Sequence, residues 1–126
     1  MTTSPGAPLE RPARGTVLRE FAGIVPGPPD RVFGLVLDRV RPMSPEGGSL
    51  STDPERGLIV VQGGWWYRAE YRVTADPAGS RLGMTIVNVA RPAHWAGPLT
   101  GRSVLKASGA AFDQLVDELS AEEYSG

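Results

Sequence analysis

"GGWWYRAEYRVTADPAGSRLGMTIVNVA", residues 63–90, decides the fold, because one turn in its middle sets the register of the strands around it. Asp76-Pro77-Ala78-Gly79 reads as a four-residue hairpin loop, in which proline fits the second turn position and glycine the left-handed one. Ala75 then pairs with Ser80, and strand alternation sorts the rest into two faces. One face carries Trp65/Ala90, Tyr67/Asn88, Ala69/Ile86, Tyr71/Met84 and Val73/Leu82. The other carries Trp66/Val89, Arg68/Val87, Glu70/Thr85, Arg72/Gly83 and Thr74/Arg81. Both strands put their polar members on the same side, and a one-residue slip would turn one strand's apolar set into water.

Upstream, "LIVVQ" (58–62) is a strand entered from the turn "DPERG", after a short strand "LST" (50–52) and a loop "PMSPEGGS" (42–49). "TVLREFAGIV" (16–25) has strand composition with apolar residues on both faces: Val17, Phe21 and Val25 on one, Leu18, Ala22 and Ile24 on the other. Its inner face is left open, and one of Arg19 and Glu20 must point toward the core or its rim. "PGPPDRVFGLVLDRV" (26–40) stops that strand and starts a helix at Pro29 or Asp30. Val32, Phe33, Val36, Leu37 and Val40 follow at helical spacing, and Pro42 ends the run. Downstream, "RPAHWAGPLTG" (91–101) is a long loop, and residues 102–123 form a terminal helix with Leu105, Phe112, Leu115, Val116 and Leu119 on one stripe. Its acidic last turns oppose the helix dipole, so fraying is expected after Leu119. Residues 1–14, rich in proline and small polar residues, are expected to be a disordered tail, residues 15–121 one domain, and residues 122–126 a frayed end.

The chain of 126 residues has no cysteine, which removes disulfides and thiolate metal sites or nucleophiles. Its net charge of −1 gives no overall attraction to nucleic acid. No apolar run of membrane-spanning length and no signal-peptide pattern is present, so a cytoplasmic protein with no membrane insertion is expected. Lys106 is the only lysine beside many arginines; with abundant glycine, alanine and proline this points to a GC-rich bacterial genome.

The order strand, helix, antiparallel strands, long helix is an α+β arrangement. At Gly27-Pro28-Pro29-Asp30-Arg31-Val32-Phe33, followed by Asp38, the sequence resembles the SRPBCC superfamily, also called START or Bet v 1-like, which includes polyketide cyclases, lipid-transfer domains and Hsp90 activator-like proteins. The amphipathic terminal helix completes the likeness. The resemblance implies a helix-grip-like curved antiparallel sheet around the C-terminal helix, here a reduced version with four strands after the first helix where the family usually has six. It also implies a ligand cavity between sheet and helix. The Tyr67/Tyr71/Asn88 face would line that cavity, and Arg68, Glu70 and Arg72 would face solvent.

The expected binding residues are Trp65, Tyr67, Tyr71, Met84, Ile86, Asn88 and, from the loop, His94. Trp65, Met84 and Ile86 supply apolar area, while two phenols and an amide supply a few fixed polar contacts. The ligand expected is a small hydrophobic molecule, lipid- or polyketide-like, with one or two oxygens and no cofactor. His94 is the one side chain whose ordinary pKa lies near neutrality. A cyclase, aromatase or dehydratase would use Tyr67, Tyr71, Asn88 and His94 to hold a folded substrate and move protons. A protein-interaction module would instead use the Arg68/Arg72 face or a sheet edge. No glycine-rich phosphate loop, nucleophile elbow or histidine cluster is present, which disfavours hydride transfer, phosphoryl transfer and zinc hydrolysis. An open sheet leaves an edge that a second copy can cover, so a homodimer is allowed for.

Overall fold

The hairpin at the centre of the chain forms in the register that its turn requires. The structure, a computed structural model, describes residues 8–12, 15–43, 49–63, 66–90 and 102–125. Strands β4 (Tyr67–Asp76) and β5 (Gly79–Asn88) pair from Tyr67/Asn88 to Asp76/Gly79. Pro77 and Ala78 make the bend, and the Asp76 carboxylate accepts the Ala78 N–H at 2.9 Å. Gly79 is held at φ 130°, and a Cβ there would lie 2.6 Å from the Gly27 nitrogen. The hairpin tip thus sits hard against the turn after the first strand, where the Ser80 hydroxyl donates to the Gly27 carbonyl at 2.8 Å.

Around this hairpin the chain builds β1 (Thr16–Val25), α1 (Pro29–Val40), β2 (Ser49–Asp53), β3 (Leu58–Gly63) and α2 (Arg102–Ser125). The five strands form one open antiparallel sheet in the order β1-β5-β4-β3-β2. The architecture is α+β, with β1 and β2 as its edges.

Both helices cover one face of the sheet. Val32, Val36 and Val40 of α1 and Leu105, Phe112, Leu115 and Leu119 of α2 are buried with Ala69, Tyr71, Val73, Leu82, Met84 and Ile86. Pro28 opens α1 in extended backbone and its carbonyl takes the Val32 N–H, so the two prolines occupy positions that need no donor. The inner face of β1 is settled by a bulge. Val17 pairs with Val87 and Arg19 with Ile86, which leaves Leu18 as the extra residue. Leu18 and Phe21 therefore both reach the core, Val17 stays on the outer face, and Arg19 is exposed. Simple alternation could not have told these apart.

The opposite face departs in part from the solvent face expected of it: Arg72 is exposed, whereas Arg68 is not. Residues 8–12, within the expected tail, lie across β3 and β4 as a strap. Leu9 packs on Leu58 and Val60, and Arg68, expected in solvent, is 0 % exposed. "LIVV" is apolar throughout because both of its faces are covered. The terminal helix spans Arg102–Ser125, its last turns acidic. Arg39 of α1 meets Glu118 and, at 2.8 Å, Glu122, which gives those acidic turns a cation.

Candidate functional site

Between the inner sheet face and the two helices lies a cavity of about 830 Å³, within the size range of small-molecule sites. Each bordering element contributes by its own periodicity. Strands β4 and β5 send in alternate residues, Tyr67, Ala69 and Tyr71 opposite Met84 and Ile86. Helix α2 sends in one stripe, where the small residues Ala107, Ser108 and Ala111 leave room beside Phe112 and Leu115. Phe112 stacks on Phe21 of β1 with ring centroids 5.6 Å apart, and this contact seats the helix on the sheet edge.

The wall is mostly apolar, so its few polar groups stand out. The Ser108 hydroxyl donates to the Leu105 carbonyl at 2.6 Å. At one end Arg39 pairs with Glu118, whose other oxygen takes the Gln114 amide at 3.0 Å. Tyr71 is 6 % exposed, yet neither its hydroxyl nor that of Tyr67 has a hydrogen-bond partner among the described residues. Burial pushes the Tyr71 phenol well above the ordinary tyrosine range, with the neighbouring Tyr67 adding to the effect, and burial raises Tyr67 too. At neutral pH both are neutral hydroxyls that donate and accept hydrogen bonds, not bases.

Of the expected binding residues, Tyr67, Tyr71, Met84 and Ile86 meet in this cavity. Asn88 is buried but does not line it; its side-chain carbonyl accepts the Ala90 N–H at 3.1 Å and so finishes the end of β5. Trp65, His94 and the loop tryptophan Trp95 lie outside the described residues. Trp66, expected on the outer face with Val89, lines the cavity instead and sets its ring edge-on to Tyr67 at 5.4 Å. It precedes β4, in the turn from β3, so strand alternation does not govern it. Arg39, Val40, Ser108 and Gln114 had no motif to announce them. The one signal available was the run of small residues on the inner side of α2.

Among the described residues, no group of three or more histidine, cysteine or acidic side chains is placed to hold a metal ion. No helix is long and apolar enough to cross a membrane.

No family model matches the chain, and neither does any curated protein. Among solved structures it is similar to TTHA0849 from Thermus thermophilus, at 17 % identity and a TM-score of 0.46 over 85 % of this chain and 94 % of that one.

Proposed function

We propose that this protein binds an apolar or aromatic small molecule, lipid- or polyketide-like, in the cavity between sheet and terminal helix. The observation that carries this reading is the Tyr71 hydroxyl, buried in an apolar cavity with no partner among the described residues. A buried hydroxyl without a hydrogen bond is costly. A ligand carbonyl or hydroxyl placed against it removes that cost, while Met84, Ile86, Phe112 and Leu115 take the ligand's apolar body. We further propose a helix-grip-like arrangement, a reduced form of the SRPBCC fold, and a cytoplasmic location. The five-stranded antiparallel sheet and the C-terminal helix support the fold reading. Two neutral phenols suit binding and orientation better than proton abstraction.

The test is native mass spectrometry of the purified protein beside a denatured control, followed by a binding panel of polyketides, sterols and fatty acids. A stoichiometric adduct released on denaturation, or saturable binding of a panel member, is the expected result. A protein without adduct that binds no panel member would end the reading.

A further inference from the structure

On the outer sheet face, four consecutive residues, Pro8 to Arg11, are each contacted in turn. The Arg68 guanidinium donates to the carbonyls of Pro8 at 2.5 Å and Leu9 at 3.0 Å. These contacts read main chain and would hold any extended segment. Leu9 fills the apolar patch made by Leu58 and Val60. Arg11 makes a two-pronged ion pair with Glu70, at 2.6 and 3.2 Å, the planar geometry that favours arginine over lysine. Glu10, between them, reaches Arg56 at 3.2 Å, with both partners exposed. The Pro12 carbonyl accepts the Gly15 N–H at 2.9 Å and turns the chain toward β1.

The face itself is prepared for this occupant. With residues 8–12 in place Arg68 is fully buried, and among the described residues the sheet gives it Glu70, at 2.7 Å, and Gln62, at 3.3 Å. A buried guanidinium needs more partners than that, and the strap's carbonyls are the remainder. The strap crosses the face of the sheet, where the Arg68 side chain reads its main chain and the Leu58/Val60 patch and Glu70 read alternate side chains.

We propose that the outer face of β3 and β4 is a docking groove for an extended peptide of the pattern Leu-x-Arg on a partner protein, and that residues 8–12 occupy it in cis. Among the described residues, no main-chain ladder bond joins the strap to the sheet; side-chain bonds from Arg68 and Glu70 hold it, with Leu9 as its apolar anchor. Such a segment opens locally without global unfolding. Attached to the chain, it competes at an effective concentration of about millimolar, so a partner bearing the same pattern must exceed that.

The probe is the synthetic peptide Pro-Leu-Glu-Arg-Pro, followed by NMR chemical shifts on the full chain. In the double variant Leu9→Asp, Arg11→Glu the groove is freed. The peptide should bind this variant saturably at about 0.1 mM, and the unaltered chain about tenfold more weakly. Adding Glu70→Arg should abolish binding, and the peptide with glutamate in place of its arginine should restore it. A folded double variant that ignores the peptide, or that binds both peptides equally, overturns the proposal. Should the double variant not fold, excess peptide on the unaltered chain must move the chain's own Leu9 and Glu10 amide resonances as residues 8–12 are displaced; resonances that stay in place at saturating peptide also overturn it.

Discussion

Phe21 and Phe112 stack with ring planes 21° apart, one from the edge strand and one from the terminal helix. This pair and the neighbouring Gly23, where a Cβ would come 3.0 Å from Val116, let α2 lie close on β1. Phe112→Ala removes a buried ring and opens a hole beside a cavity, and should cost about 3–5 kcal/mol. Urea denaturation gives the value. A loss below about 1 kcal/mol would mean that the helix is held elsewhere.

Tyr71→Phe separates folding from binding. Deleting a buried hydroxyl that has no partner leaves the free protein as stable or more so, by up to about 1 kcal/mol. The same change should weaken an oxygen-bearing ligand about tenfold. Thermal melts with and without ligand read both effects, and a destabilised free protein would show that the hydroxyl is already satisfied.

Glu70 links the strap to pH. Although burial alone would raise its pKa, hydrogen bonds from Arg11 and Arg68 hold the carboxyl below its ordinary value. The stability it contributes is complete above the unfolded carboxyl's pKa of about 4.3. It declines as pH falls below that value and is lost once the lowered folded pKa is passed. Glu70→Gln should therefore reduce stability at pH near 7 and flatten the acid limb of the stability profile. Chemical denaturation across that range would show parallel curves if Glu70 were uninvolved.

Gly79→Ala should destabilise by about 1–3 kcal/mol, since φ is 130° and the new methyl would meet the Gly27 nitrogen and the Val25 carbonyl. Gly34→Ala is the control: a Cβ there meets nothing within 4 Å, and replacing a helical glycine should stabilise by about 0.5–1 kcal/mol. Paired melting curves decide between strain and a general intolerance of change.

The central hairpin was legible because two independent constraints agreed. The Asp76–Gly79 turn fixed one register, and the alternation of both strands allowed only that one. Helix α1 was legible from its prolines and spacing. β1 was not, because the bulge at Leu18 shifts the pattern within a single strand and no residue type marks it. Arg68 misled for another reason: charge on an alternating strand normally means water, and here a distant proline-rich segment takes the place of water. The apolar cavity wall on β4 and β5 followed from the register. The α2 wall did not, because a helical stripe shows which residues face inward and not whether alanine and serine leave space between them.

With helices on one side and the strap on the other, the middle strands β3 and β4 are covered on both faces, whereas among the described residues β1 and β2 each keep an unpaired edge. The amide protons of the middle strands therefore exchange with solvent only through large openings, while those along the edges exchange through small ones. Rigidity in this protein runs across the sheet from centre to rim, and Tyr67 and Tyr71, rooted in β4, are attached at its stiffest line.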